Sequence, residues 1–519
     1  MQSDSMTTIP ELLNSARCCQ PNMKFMVSHD ESFMSMKEVY DECIQVSLSI
    51  LKLGVEHVTI FAENSPKHVI SILGSVIGGS IPSLLYRGST HSGCEYVLKH
   101  TKSRVVFVDT LERLKIILKV RHRLDAIVLF DETNERLPIN VFTWKDFITF
   151  GSNCKYLPSR PRCDDCCMII YTSGTTGNPK GVMLSHDNLT FSANAHIKNN
   201  PVLVSEPMRF VSHLPLCHIG ALMNDVIVPL TCIASYGQEA SVYFIDSPSI
   251  NIHHLRRIRP TMIFCVPRLW QRIANEGNVD LGLDQMKLAL TGGAHTDIEL
   301  IKYFRSIGVN LLGAYGMSEL MGVQTVSRPD FFIDGYSGVP VDGTEVRVDD
   351  DTGELCFRGR QVTIGYYGQS EKCVDENGWF HTGDIGEIHD TGHIRVIGRI
   401  DDLIVTSTGN KIVPDPIESH LQRECQDINR AILVGDNQKF VTALIEPTTG
   451  GDVSRILDTI EAYNNSHCKS KSETIRRVTL VKITEEEVTP SNKIKRRKIL
   501  KKYEDEIKAM YFDVKTSGI

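Results

Sequence analysis

Tyr171-Thr-Ser-Gly-Thr-Thr-Gly-Asn-Pro-Lys-Gly181 sets three glycines, four Ser and Thr hydroxyls and one lysine directly after the apolar run Met168-Ile-Ile-Tyr171. The apolar run reads as a short buried strand. Gly174, Gly177 and Gly181 permit backbone conformations closed to other residues and let N–H groups approach an anion. Thr172, Ser173, Thr175 and Thr176 add hydroxyl donors, and Lys180 adds a full positive charge. Clusters of Gly, Ser, Thr and Pro are most often plain loops; here the glycines, hydroxyls and lysine together favour a polyphosphate holder. It is not a Walker loop, which needs Gly-x-x-x-x-Gly-Lys-Ser/Thr, because Lys180 lies three residues after Gly177 and Gly181 follows it.

Around this stretch the chain alternates between helical and strand patterns. Val39, Cys43, Val46, Ile50 and Leu53 recur at helical spacing, and Val58-Thr-Ile-Phe61 follows as a strand. The alternation returns at 95–108, 258–265 and 286–312, where Leu311-Leu312 leads into an expected turn at Gly313-Ala-Tyr-Gly316. Such alternation predicts an α/β class of parallel sheets covered by helices. Val69 to Tyr86, the longest uncharged run, is diluted by Gly, Ser and Pro and reads as a buried helix followed by a strand rather than a membrane span. After Gly338 short strands crowd together (Glu345–Val348, Glu354–Phe357, Ile394–Ile397), which predicts a small antiparallel β unit. The polar segment Gly398-Arg-Ile-Asp-Asp402 sets an expected boundary between a large domain, 1–399, and a small α+β domain, 400–519. Ile499, Tyr503, Ile507 and Met510 predict one closing helix behind a basic run.

At 519 residues with 41% hydrophobic content, the chain can bury large cores. Its balance of 56 basic and 63 acidic residues argues against nucleic acid as the main partner. Fifteen cysteines without regular spacing, and no signal-like start, predict a reducing, cytoplasmic location, with peripheral contact to membranes left open. Cys163-x-x-Cys166-Cys167 lacks a second ligand pair and reads as free thiols flanking a strand.

Two further constellations suit a nucleotide. In Tyr315-Gly-Met-Ser-Glu319, Tyr315 can stack on a base, Ser318 can donate to a phosphate and Glu319 can hold Mg²⁺; the plainer reading makes Ser318 a helix cap. In Gly378-Trp-Phe-His-Thr-Gly-Asp384, Asp384 follows an expected tight turn and could accept both ribose hydroxyls, with Arg399 adding a contact.

These stretches, with Thr489-Pro-Ser-Asn-Lys-Ile-Lys-Arg496, stand in the order seen in the adenylate-forming superfamily, and together they resemble an acyl-CoA synthetase over nearly the whole chain. Leu214-Pro-Leu-Cys-His218, Val266-Pro-Arg-Leu-Trp270 and Val413-Pro-Asp-Pro-Ile-Glu418 look most like the long-chain, bubblegum-type group. The resemblance implies ATP-dependent adenylation of a fatty acid, then transfer to coenzyme A with release of AMP. It implies Lys493, Glu319 and His218 as catalytic, Gly292, Gly293, Tyr315, Gly316 and Ser318 with the loop at the nucleotide, and Glu319 at Mg²⁺. It also implies Asp401 at the hinge of a mobile C-terminal domain, Gly409 at the coenzyme A tunnel and Trp270 as the acyl gate.

The chain departs from that group at several places. Leu320 stands where a threonine is usual, Asp401-Asp402 where lysine is common, and His295 where proline is common. Asn492 occupies a variable place before Lys493, and the connection from Trp270 to Leu283 is shorter than the usual helical insertion. Two other readings remain open at this stage: an acid–thiol ligase for another carboxylic acid, and a binding protein of weak turnover.

Overall fold

The computed structural model describes residues 6–154, 161–172, 179–247, 250–277, 279–294, 296–468, 470–471, 473–488 and 494–512. The loop residues Ser173, Gly174, Thr175, Thr176 and Gly177, together with His295, Asn492 and Lys493, lie outside these described residues.

Local signals set many of the elements. The helix Met36–Leu53 begins at Ser35, whose side chain accepts from the Glu38 N–H while Glu38 reaches back to the Ser35 N–H. It ends at Gly54, whose φ of 62° is the left-handed geometry of a helix stop. The run at 69–86 folds as read, into the helix Pro66–Ile77 and the strand Ile81–Leu84.

Two large sheets form the body. The eight-stranded sheet runs, edge to edge, through Gly365–Tyr366, Lys180–Ser185, Cys166–Thr172, Ile81–Leu84, His57–Phe61, Val105–Val108, Ala126–Leu129 and Val141–Thr143. In the nine-stranded sheet, Met208–Ser212 lies between Ala240–Phe244 and Met262–Cys265, and Leu288–Thr291, Leu311–Met317 and Gly322–Val326 follow outward. Pairing is parallel through the middle of both sheets and antiparallel near both edges of the nine-stranded sheet and one edge of the eight-stranded sheet, whose other edge, Val141–Thr143, stays parallel.

One apolar core joins the facing sides of these sheets through the helices Ile9–Cys19, Met36–Leu53, Pro66–Ile77 and His186–Asn199. The helical run Ile219–Tyr236 lies in the same core; it is apolar and long enough for a membrane span, yet 78% of it is buried inside the protein. The outer faces are covered by separate helix layers. The β unit is a four-stranded antiparallel sheet, Glu345–Val348, Glu354–Arg358, Phe380–Ile388 and Ile394–Arg399.

Three expectations are corrected. Gly313–Gly316 is not a turn but the interior of the strand Leu311–Met317, because it pairs antiparallel with Gly322–Val326. Asp384 does not follow a free turn; it lies in the long strand Phe380–Ile388, where a bulge with Gly383 at φ 73° re-aims it. The closing helix is two helices, Arg496–Lys502 and Glu504–Phe512, broken at Tyr503, whose hydroxyl bonds Lys482 while its side chain still packs in one cluster with Ile499, Ile507 and Met510.

Beyond Ile400 a three-stranded sheet carries its own core with the helices Pro414–Glu424 and Val453–His467. A buried ion pair ties its last segment down. Arg496 donates to both Glu418 oxygens at 2.7 Å and to the Leu433 carbonyl at 3.0 Å, while Glu418 accepts the Leu433 N–H. Replacing one partner of such a pair strands the other charge, at a cost of about 3–5 kcal/mol. Glu418→Gln is therefore expected to lower the urea midpoint for unfolding of the C-terminal segment; an unchanged midpoint would refute the role assigned to this pair.

Candidate functional site

The phosphate-type stretch is flanked by two neighbouring antiparallel strands. Thr172 pairs with Lys180 and Tyr171 with Gly181 across antiparallel strands, so the loop leaves one strand and re-enters its neighbour. Tyr171 is fixed at its root by a 2.7 Å bond between its hydroxyl and His100 Nδ1. Lys180 is exposed at the start of the second strand, its Nζ 5.0 Å from the centre of the Tyr366 ring.

Tyr366 had no place in the sequence reading, and it links two predicted groups. It sits on the edge strand Gly365–Tyr366, which pairs with Met183 and Val182, and its hydroxyl donates to Glu319 Oε1 at 3.0 Å. The glycine-flanked aromatic pair Gly365-Tyr-Tyr-Gly368 was the available signal. Glu319 is 9% exposed, and among the described residues no cationic side chain pairs with it. A buried carboxylate without a counter-charge is costly, and its hard oxygens suit Mg²⁺. The residues present therefore fit that ion.

Glu319 follows the strand Leu311–Met317, which also delivers Tyr315 and Ser318. A short 3-10 turn, Ser318–Leu320, does start at Ser318, but with Met317 at its cap position and no side-chain cap bond. Gly316 is forced by packing: a Cβ there would lie 1.6 Å from the Gly322 carbonyl oxygen. Gly292 and Gly293 end the neighbouring strand, with Gly292 against the Ala314 carbonyl and Gly293 at φ 80°.

The Tyr315 hydroxyl donates to Asp384 Oδ2 at 2.6 Å, and Arg399 approaches Asp384 Oδ1 at 3.1 Å from the paired position on the next strand. Burial and the adjoining Asp384 carboxylate push the Tyr315 phenol well above its ordinary range, which keeps it a donor. Glu354 braces the bulge by accepting the Gly383 N–H at 2.6 Å. A continuous series of contacts thus runs from Lys180 through Tyr366 to Glu319, then along one strand to Tyr315, Asp384 and Arg399.

The other sequence candidates lie around this series. His218 is half-buried at the head of the buried helical run, its ring 5.8 Å from that of Tyr86. Asp401 is exposed in the short turn Ile400–Asp402 just past Arg399, 3.7 Å from Arg497. Gly409 is exposed, with φ 83°, in the turn joining Ile404–Val405 to Lys411–Ile412. Trp270 lies deeper in the fold. It is fully buried, packs edge-on against Phe304 and donates to the Leu290 carbonyl. It shares a core with Ile263 and Cys265, whereas Phe264 between them faces Gly220 and Gly292 on the opposite side of the sheet. Trp270 is therefore packed in the core on the side of the sheet opposite the one Phe264 faces. Leu320 is likewise fully buried, in the core beneath the small sheet with Leu355 and Phe357.

Residues 15–367 match the AMP-binding enzyme family, and residues 401–515 match the AMP-binding enzyme C-terminal domain. The long-chain-fatty-acid–CoA ligase ACSBG2 of Xenopus laevis is 31% identical over 487 residues, an alignment covering 79% of this chain and 65% of that protein. ACSBG1 of Rattus norvegicus is 28% identical over 586 residues, covering 91% of this chain and 80% of that protein. The chain spans less than two-thirds of the length of the ACSBG2 proteins from Xenopus laevis and Gallus gallus, at 65% and 63%.

Among solved structures, the anthranilate CoA ligase AuaEII with anthranoyl-AMP superposes with a TM-score of 0.83 at 20% identity, covering 97% of this chain and 98% of that one. O-succinylbenzoate CoA synthetase from Bacillus subtilis, with ATP and magnesium ion, gives 0.77 at 20% identity, covering 94% and 98%. The fold agrees with these structures along nearly the whole chain. Since the family match also spans well over half of its residues, the chain belongs to the AMP-binding enzyme family.

Proposed function

We propose that this chain activates a long-chain fatty acid with ATP to an acyl-adenylate and transfers the acyl group to coenzyme A, releasing pyrophosphate and AMP. The observation that carries the proposal is the contact series from Lys180 to Arg399. It supplies a cation for phosphates and a buried carboxylate for Mg²⁺ at one end and a buried, braced carboxylate for a ribose at the other.

A carboxylate and a thiol do not condense directly for want of a leaving group. Attack of the carboxylate on the α-phosphorus expels pyrophosphate, and the thiol then displaces AMP. The first step concentrates negative charge on phosphoryl oxygens, so preorganised donors serve it better than a protein nucleophile. Lys180 and the loop hydroxyls would restrain the departing pyrophosphate. Glu319 would hold Mg²⁺, which neutralises phosphate charge when bound. Tyr366 fixes the Glu319 carboxylate in direction. Asp384, held by Tyr315 and Arg399, presents its oxygens in a fixed plane to a ribose.

Lys493 would bridge the carboxylate and the α-phosphate from the C-terminal domain, 400–519, which would turn about Asp401 to admit the thiol past Gly409. The named activity of the ACSBG relatives favours a long acyl chain, and a location in the cytoplasm with peripheral membrane contact accords with that substrate.

Pyrophosphate exchange across acids of graded length tests the substrate: stimulation by long-chain acids is expected, and response only to short or aromatic acids overturns the chain-length assignment. Lys493→Ala is expected to slow adenylation far more than thioester formation from supplied acyl-adenylate, because Lys493 would contact only the first transition state. Equal loss in both half-reactions would remove that assignment. Tyr366→Phe deletes a hydrogen bond to a charged group, a loss of about 1.5–3 kcal/mol. It should lower kcat/KM for MgATP by tenfold or more with thermal stability little changed; an unaltered kcat/KM would show that Glu319 needs no such brace.

A further inference from the structure

Away from the nucleotide series, the outward face of the small sheet gathers a thiol, an imidazole and a carboxylate. Glu354 and Cys356 stand two apart on one strand and so share a face, opposite Leu355 and Phe357, which fill the core beneath. Cys356 pairs directly with His381 on the neighbouring strand, which brings its Sγ to 3.5 Å from His381 Nδ1. Glu354 Oε2 lies 2.8 Å from the same nitrogen, and the three ligand atoms all fall within 4.8 Å of one another. The other ring nitrogen, Nε2, is 3.5 Å from Asp375 Oδ2. Asp375 is itself fixed by the N–H groups of Asn377 and Trp379. An imidazole steadied by an outer carboxylate, with its second nitrogen turned toward a thiol, is the arrangement proteins use to orient a metal-binding histidine.

We propose that Glu354, Cys356 and His381 form a binding site for a divalent cation of the zinc type, with water completing a tetrahedron. Bond lengths of about 2.3 Å to sulfur and about 2.0 Å to nitrogen place those two ligands about 3.5 Å apart, the separation found between Cys356 and His381. The carboxylate need withdraw only about half an ångström to meet the corresponding spacing for oxygen. A sulfur and nitrogen donor set does not suit Mg²⁺, so this site is separate in chemistry from Glu319.

Binding exchanges protons for metal. Burial pushes the Cys356 thiol up to about 11, so that proton must leave, as must the one that His381 Nδ1 shares with Glu354. Affinity therefore falls as pH falls. Because Glu354 Oε1 also holds the Gly383 N–H, an occupied site is joined through one side chain to the bulge that aims Asp384.

The test is titration of the full chain with Co²⁺ under anaerobic conditions, reading the thiolate-to-cobalt charge-transfer band in the near ultraviolet, followed by displacement with Zn²⁺. A stoichiometric band is expected that Cys356→Ser abolishes, that Cys163→Ser leaves intact, and whose affinity His381→Gln weakens at least tenfold. No band in the unaltered chain, or a band that survives Cys356→Ser, overturns the proposal. If Cys356→Ser does not fold, the exposed His381 position decides alone: unchanged Co²⁺ affinity in His381→Gln overturns it. That result would leave Glu354 and His381 as a brace for the bulge only. None of these readouts depends on acyl transfer, so failure here and failure of the proposed activity are distinguishable.

Discussion

A carboxylate that is 7% exposed holds this molecule's working parts in register. At that depth the Tyr315 hydroxyl holds one oxygen of Asp384 and the Arg399 guanidinium the other, as burying a carboxylate requires. Those partners come from different places: the end of a nine-stranded-sheet strand, and the strand that leads out of the small sheet toward Ile400. The same interaction therefore docks the β unit on the body and fixes where the chain departs for its C-terminal segment. Glu354 adds the backbone share, holding the Gly383 bulge so that the carboxylate faces the end of the large sheet rather than lying along its own strand.

Much of this was legible in the residues because it rests on local patterns. The period of Val39 to Ile50 and the close spacing of Glu345–Val348 and Glu354–Phe357 are properties of short windows, and each folded as its window implied. What misled were glycines. Gly313 and Gly316 suggested a turn on composition, yet they are glycines because another backbone presses on them, a fact written in Gly322 and Tyr336 rather than nearby. Gly383 carried a similar ambiguity between a turn and a bulge.

The site divides along the same line. Residues recognisable by their own motif, Tyr315, Glu319, Asp384 and Arg399, are brought together by pairing that no single motif encodes. Tyr366 escaped notice because its function depends on an antiparallel edge pairing with Val182 and on a partner 47 residues away. The packing of Trp270 was hidden in the same way: only the alternation of Ile263, Phe264 and Cys265 reveals which side of the sheet it fills. The tight Glu418–Arg496 pair had no sequence signal beyond an acid and a base 78 residues apart.

The buried helical run Ile219–Tyr236 has a consequence for how the chain is made. Its mean hydropathy of 1.4 is that of a segment a bilayer would accept, and its shelter comes partly from strands that follow it, including Leu288–Thr291, Leu311–Met317 and Gly322–Val326. During synthesis it emerges some seventy to one hundred residues before that shelter exists. For that interval the nascent chain presents a sticky rod to chaperones, membranes and its own copies. Burial of this helix thus waits on the closing of the nine-stranded sheet over it, a long-range event that local helix and strand formation cannot replace.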